Sequence, residues 1–510
     1  PGARALSAGR GRVLMRVLTH LVRQEAALAA TPVPGAAEGG GARAVRRARN
    51  VRRALESLGP FYVKVGQMLA TRPDIVTPEM IGEFEKLQDE VSPAPFGDFE
   101  PVLRQELGAG WAARFRDIDT QHPLGTASLS QVYRAELPDG RPVAVKVQRP
   151  GVRETVEADM QLMGSLSRFV SRRAWRFNEV IDVEAMLNVV FDAMRPELDF
   201  VMEARNMTEA SKAAEDFDYV QVPEVVEATG RVLVQGLAPG TPIREADKDR
   251  FDAEERKAIG QDLLAFMYRG YFVDRIFHAD PHPGNIFVAP GHPATLIDWG
   301  MVGRIDRPMS TSILLLLLNL AMNDGAGTAR AWIDMGSATS WANTPAFAGD
   351  MASLVPQIAT ASLEELNFGV TLTAVLQHST RRGIRTSPMV SILGKSFANI
   401  EGSIRHLCPE LSLIDVFSEE LVGIVTDLVK ESLSPQQAVR TALEVITAGA
   451  AAPQQLRGIT KDLSNRDLTM RMNLNNSRSA RRSTGLRRGA ADVSFALATA
   501  MLWNHYTKDR

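Results

Sequence analysis

Cysteine is almost missing: Cys408 is the only one in 510 residues. An intrachain disulfide framework is therefore excluded, as is a zinc centre built from several cysteines. A reducing compartment fits this usage, and so does any compartment where disulfides are unnecessary. Net charge is nearly absent too, at −2, so no overall basic field of the kind that draws nucleic acid exists. No run reaches the roughly 20 apolar residues that span a bilayer. The densest run, residues 313–318, is closed by Asn319 and by Asn323-Asp324-Gly325, and predicts a buried helix. Residues 490–503 are interrupted by Asp492, Ser494 and Thr499; they would lie in a membrane interface or dock as a terminal helix. No tandem repeat and no secretory signal is evident.

What is present is ordinary globular composition, with 45% hydrophobic and 23% charged residues. The length allows about two to four compact units. Charge is unevenly spread. Residues 1–53 hold eleven arginines against Glu25 and Glu38 and contain no lysine. The tail repeats the bias with Arg466, Arg471, Arg478, Arg481, Arg482, Arg487 and Arg488. Such clusters would lie on anionic lipid, form solvated arms, or, at the N-terminus, mark an organellar transit peptide.

Residues 30–42, with Pro32, Pro34 and Gly39-Gly40-Gly41, read as a flexible linker. Residues 44–88 read as helix broken by Pro60, Pro73 and Pro78, and 99–107 as one more short helix. A hairpin follows, with strands at 130–137 and 142–147 around the turn Pro138-Asp139-Gly140. Further helix is expected over 154–213, strands at 220–227 and 231–237, a long helix at 253–270, short strands near 286–288 and 294–297, and helix from 309 to about 450. The order predicts an α+β chain: a small β-rich lobe, then a larger helical lobe. The expected divisions are a basic flexible arm (1–50), a helical extension (51–120), a small lobe (121–240), a helical lobe (241–450) and a basic tail (451–510).

Four spaced motifs carry chemistry. Gly125-Thr126-Ala127-Ser128-Leu129-Ser130-Gln131-Val132 opens the hairpin, and its small residues would let backbone N–H groups approach phosphates. Val143-Ala144-Val145-Lys146 puts a lysine inside an apolar strand, where it needs a partner. A strand lysine after such a loop contacts nucleotide phosphates in kinases. The third motif is His278-Ala279-Asp280-Pro281-His282-Pro283-Gly284-Asn285. Asp280 and Asn285 have the spacing of a kinase catalytic loop. Asp280 would orient or deprotonate an attacking hydroxyl or water, and Asn285 would give an oxygen to Mg²⁺. His278 and His282 also stand four apart, as in a helical zinc pair. Pro281, Pro283 and the lack of a glutamate after His278 argue against zinc. The fourth, Asp298-Trp299-Gly300, ends an apolar strand and takes the place of the Asp-Phe-Gly metal aspartate. The acid for Lys146 stays open between Glu154 or Glu157 nearby and the more distant Glu197, Asp199 and Glu203. If segment 197–203 is helical, Asp199 and Glu203 share a face.

Further residues carry a resemblance. Leu58-Gly59-Pro60-Phe61-Tyr62-Val63-Lys64-Val65-Gly66-Gln67 resembles the Lys-x-Gly-Gln segment of UbiB/AarF-like atypical kinases. The Glu-x-Asp pair Glu197/Asp199, the catalytic loop and Ile400-Glu401-Gly402 are similar to that family as well, over about 52–409. The resemblance implies a two-lobed protein-kinase-like fold with an N-terminal helical extension. It implies ATP or ADP with Mg²⁺, held by Asn285 and Asp298. The nucleotide would lie against residues 125–130, Val132, Ala144, Lys146 and the hinge residues Gln235 and Leu237. Asp280, Lys146 and Glu203 would be the catalytic set, with Lys146 paired to Glu203. Lys64, Gln67, Glu197 and Asp199 would form a regulatory cluster at the cleft mouth. The implied role is ATPase or small-molecule kinase activity supporting isoprenoid-quinone synthesis, with an anionic membrane surface and lipid-biosynthesis enzymes as partners. The chain would be cytoplasmic and peripheral on the membrane, with organellar import as the other setting. A nucleotide-gated scaffold without turnover is the second reading.

Overall fold

The computed structural model describes residues 2–30, 39–72, 76–87, 92–173, 183–359 and 368–432. One compact unit runs Pro1–Phe417, and a second begins at Ser418.

Four helices come first: α1 (Gly2–Ala30), α2 (Gly39–Leu58), α3 (Pro60–Ala70) and α4 (Pro78–Phe84). Pro60 and Pro78 each sit at a helix start, where a missing N–H costs nothing. Within the expected flexible arm, residues 2–30 and 39–50 are instead helical, and most of the linker read at 30–42 lies outside the described residues. Arg10 fixes it, its guanidinium bound to both Asp159 oxygens at 2.8 and 2.6 Å. A buried carboxylate that needs a cation outweighs the solvation of one arginine. Helix α3 packs through Phe61, Tyr62, Val63 and Met68, all buried. At Gly66 a side chain would collide with Leu55 and Leu87, so only glycine permits this close crossing.

The small lobe is built on one antiparallel sheet. Its strands are β1 (Asp117–Ile118), β2 (Gly125–Thr126), β3 (Ser130–Glu136), β4 (Pro142–Gln148), β6 (Val225–Ala228) and β7 (Val232–Gly236), in order β1-β3-β4-β7-β6, with β2 on β3. β5 (Val220–Gln221) pairs elsewhere. Gly140, at φ 88°, closes the β3–β4 turn. One face of the sheet carries Tyr133, Ala135, Val143, Val145, Val147 and Val234 into a core with α5 (Phe96–Leu107), through Phe99, Val102, Leu103 and Leu107. Period-2 alternation leaves Val132, Ala144, Lys146 and Gln235 on the other face. Val132 pairs with Lys146 and Ala144 with Gln235.

Between β4 and β5 lie α6 (Val152–Arg173), α7 (Val183–Leu198) and α8 (Phe200–Ala214). The run 197–203 is not one helix. Asp199 leaves the helical region, at φ −143° and ψ 96°, and caps α8 by accepting from Val201 N–H. Aspartate is a strong N-cap, and that preference ends α7. Asp199 and Glu203 therefore do not share a helical face.

The larger lobe holds α9 (Ala253–Phe272), α10 (Arg307–Ala321), α11 (Gly325–Met335), α12 (Thr344–Ala359), α13 (Phe368–Arg381) and α14 (Pro388–Leu407). Ile313, Leu314, Leu316 and Leu317 are buried, as the apolar run predicts. Short strands β8 (Thr241–Pro242), β9 (Ile276–His278), β10 (Ile286–Val288), β11 (Ala294–Leu296) and β12 (Val302–Arg304) frame the loops between the lobes. β13 (Ser337–Ala338) pairs with β14 (Ile384–Arg385). A last helix, α15 (Leu413–Ser432), leads into the second unit. This is an α+β, two-lobed, kinase-like fold. The tail read at 451–510 lies outside the described residues. No described helix is long and apolar enough to cross a membrane.

Candidate active site

Lys146 stands at the centre of a cluster of charged side chains. Its ammonium donates to both Glu203 oxygens at 2.9 Å and lies 3.1 Å from Asp298 Oδ1. The Phe200 ring centroid is 5.3 Å away. Of the acids left open above, Glu203 is the partner; Glu157 instead accepts from Arg153 at 3.3 Å. Glu203 is 1% exposed and Asp298 51% exposed, so one carboxylate anchors the lysine from the interior and the other is open to solvent. Burial opposes the Lys146 ammonium, but Asp298 and Glu203 outweigh it and keep it charged. Lys146 and then Lys64 hold Asp298 far below the usual carboxylate range.

Asp298 has φ 61°, a left-handed backbone that few non-glycine residues adopt. It lies two residues beyond β11, and the turn aims its carboxylate back at Lys146. Beside it, a side chain on Gly300 would meet Glu197 Cγ at 3.5 Å, Asp298 Oδ1 at 3.6 Å and Glu203 Oε2 at 3.8 Å. Three carboxylates thus converge around one glycine, with Lys146 and Lys64 as their cations.

The loop 278–285 is held by its own histidine. His278 Nδ1 accepts from the Asp280 N–H at 3.1 Å, and its Nε2 lies 3.0 Å from the Ile297 carbonyl. That pattern requires the neutral ring protonated on Nε2. Both nitrogens are used, which leaves none for zinc. Asn285 Nδ2 donates to the Asp280 carbonyl at 3.2 Å. Its amide oxygen is then the atom left to meet a cation. Asp298 and Asn285 together offer hard oxygens, a donor set that fits Mg²⁺.

Not every member of the expected regulatory cluster comes together. Lys64 Nζ meets Glu197 Oε1 at 2.7 Å, joining α3 to α7. Gln67 instead donates to the Leu87 carbonyl at 3.2 Å, and Asp199 is spent as a cap. Two residues were missed by sequence reading. Asn399 Nδ2 donates to Asp280 Oδ1 at 2.6 Å, and Lys395 Nζ lies 3.1 Å from Asp280 Oδ2. A lysine on the mostly buried helix α14 was the one available signal. The hollow over Asp280, lined by Lys64, Gln67, Met68, Thr71 and Lys395, has room for about one water. A larger hollow of about 480 Å³ between α6 and α7 touches none of the motif residues.

Residues 86–331 match the ABC1 atypical kinase-like domain. A Clostridium pasteurianum protein, named as uncharacterized and encoded in the hydrogenase 1 5′ region, is 31% identical over 369 residues, covering 72% of this chain and 69% of that protein. A Cellvibrio japonicus protein named "Probable protein kinase UbiB" is 31% identical over 376 residues, 72% of this chain and 67% of that one. The chain belongs to the ABC1/UbiB family of atypical kinase-like proteins. An uncharacterized Synechocystis protein, slr0889, is 31% identical over 364 residues, 68% of this chain and 88% of its own length. Among solved structures, Mycobacterium tuberculosis Rv3197, in complex with erythromycin, has a TM-score of 0.49 at 22% identity, over 73% of this chain and 95% of that one. The ABC1 match takes in Lys146, Glu203, Asp280, Asn285 and Asp298. Lys64 and Lys395 lie outside it on either side.

Proposed function

We propose that this ABC1/UbiB family chain binds Mg-ATP and transfers or hydrolyses its terminal phosphoryl group. The observation that carries this is Lys146 seated between Glu203 and Asp298, with Asp280 on the neighbouring loop. Lys146 would hold the α- and β-phosphates against the loop 125–130. Ala144, Val132, Gln235 and Leu237 would wall the adenine side. Mg²⁺ on Asp298 and Asn285 would neutralise charge on the phosphates. Asp280 would orient the attacking oxygen, while Glu203 fixes Lys146. Calorimetry with the full chain tests the reading: Mg-ATP should bind, and Asp298→Asn should lose the magnesium-dependent part. A wild-type chain that binds no Mg-ATP would end it.

The acceptor we infer is water or a small molecule. Lys64, Gln67, Met68 and Thr71 cover the acceptor side of Asp280, which leaves no room for a peptide side chain. The family resemblance supports a role in isoprenoid-quinone or related lipid synthesis. Arginines on α1 and α2 support a peripheral place on an anionic membrane from the cytoplasmic side, beside lipid-biosynthesis enzymes. Salt-sensitive flotation with anionic vesicles would check that. The same cover over Asp280 favours a second reading, a nucleotide-gated scaffold without turnover. Rescue of a quinone-deficient deletion strain by Asp298→Asn would select it.

A further inference from the structure

Helix α14 touches the catalytic loop four times. Ser396 donates to the His278 carbonyl at 2.7 Å and Ser403 to the Pro281 carbonyl at 2.9 Å. Asn399 and Lys395 take the two Asp280 oxygens, at 2.6 and 3.1 Å. These four positions lie on one helical face. The serines splint the backbone and need no charge to do so.

Lys395 needs a different explanation. Between Asp280 and Asn285 the loop reads Pro281-His282-Pro283-Gly284, with no lysine or arginine. Lys146 is engaged by Glu203 and Asp298. Lys64, the other cation lining the hollow, is held by Glu197 at 2.7 Å. Charge that develops on a phosphoryl group in transfer is stabilised by cations placed around it, and one on the acceptor side adds to the metal's share. Lys395 Nζ lies 3.1 Å from Asp280 Oδ2. Its side chain is 31% exposed and borders the same hollow.

We propose that Lys395 is a further catalytic residue, whose ammonium binds the terminal phosphoryl oxygens where the nucleophile held by Asp280 attacks. Asn399 is a positioning residue that keeps the Asp280 carboxylate aligned. The inference rests on the phosphotransfer reading above. In the step, the nucleophile's oxygen bonds to the γ-phosphorus as the bond to the β–γ bridging oxygen breaks. ADP leaves with that electron pair, and the nucleophile's proton passes to Asp280. Lys395 exchanges no proton; it meets charge.

The test uses the full chain with Lys395→Met and Lys395→Arg. Binding of Mg-ADP, with and without aluminium fluoride as a mimic of the transferring group, is measured beside ATP turnover. Lys395→Met should keep Mg-ADP affinity within about twofold while kcat falls about 100-fold, the loss typical of one transition-state donor. The affinity gained on adding aluminium fluoride should disappear. Lys395→Arg should restore roughly a tenth or more of the rate, because it keeps the charge. Should Lys395→Met fail to fold, Lys395→Gln carries the same comparison. Wild-type turnover in Lys395→Met, or an intact aluminium fluoride response, would overturn the proposal. So would equal losses of Mg-ADP affinity and kcat, which would mark a merely structural lysine. A wild-type chain that binds no Mg-ADP overturns the underlying reading as well. Normal wild-type turnover beside an unaffected variant overturns this proposal alone.

Discussion

Lys146 reaches Asp298 Oδ1 at 3.1 Å, across 152 residues of sequence, while both Glu203 oxygens hold it from the other side. The lysine therefore holds one oxygen of the half-exposed carboxylate that the proposed Mg²⁺ would use. Asp298 would then serve both as a partner of Lys146 and as a metal ligand, with Asn285 as the second.

Asp298→Asn should weaken nucleotide binding mainly when magnesium is present. The loss should be about tenfold or more, on the order of 1.4 kcal/mol. Without magnesium the substitution removes a negative charge near the phosphates, so affinity should hold or rise. Titration calorimetry with ADP, with magnesium and then with a chelator, reads both arms. Equal losses in the two conditions would remove Asp298 from the metal site.

Lys64 and Glu197 should be coupled in stability. Their side chains are 13% and 20% exposed, so the pair is mostly but not wholly desolvated. Lys64→Met leaves Glu197 beside Glu203 and Asp298 with one cation fewer. Breaking a fully buried pair costs about 3–5 kcal/mol, and partial exposure reduces this to roughly 1–3. Lys64→Met with Glu197→Gln should recover part of that loss. A double-mutant cycle by chemical denaturation measures the coupling. Additive losses would mean that the contact carries no stability.

The parts legible in the sequence were those that spacing encodes. The β3–β4 hairpin follows from alternation around Pro138-Asp139-Gly140, and Asp280, Asn285 and Asp298 follow from loop spacing. Pairings made by tertiary packing left fainter marks. Arg10 looked like one of many solvated arginines, because nothing local names Asp159, 149 positions away, as its partner. Asp199 looked like a helical acid, yet it is the residue that ends the helix. Gln67 kept its place beside Lys64 in sequence but turned to a backbone carbonyl. Asn399 is 119 positions from Asp280, and only the folded α14 brings the two together.

Arg10→Met should loosen the N-terminal helix. Asp159 is buried, and burial alone raises its carboxylate above the usual range against the pull of Arg10. Removing the guanidinium leaves that carboxylate with Tyr62 OH at 3.5 Å as its other contact. The expected effect is faster limited proteolysis of residues 2–30 and a destabilisation of roughly 2–4 kcal/mol, below the fully buried limit because Arg10 is partly exposed. Asp159→Asn should be milder, since it removes the charge that needs pairing. Unchanged proteolysis in Arg10→Met would show that α1 is held by its apolar contacts.

Buried His278 sets an acid limit on stability. Burial lowers its pKa, although the Ile297 carbonyl, Asp298 and Asp280 pull it upward. The unfolded chain takes up this proton near pH 6.5, about the ordinary histidine value. The folded ring resists it, because Nδ1 must accept from the Asp280 N–H. The stabilisation is therefore complete above about pH 6.5 and is lost as pH falls toward the folded value, at up to about 1.4 kcal/mol per pH unit. Depressed carboxylates such as Asp280 and Asp298 lose their contribution only below about pH 4, outside this window. Glu203, which burial pushes up to about 7 despite Lys146, favours the folded state as pH falls. That term is common to wild type and a His278→Gln variant and cancels in their difference. Urea denaturation between pH 5 and 7.5 should show the wild-type advantage shrinking with a slope of about one proton. A difference that stays constant with pH would mean that the folded protein accepts the proton as readily as the unfolded chain.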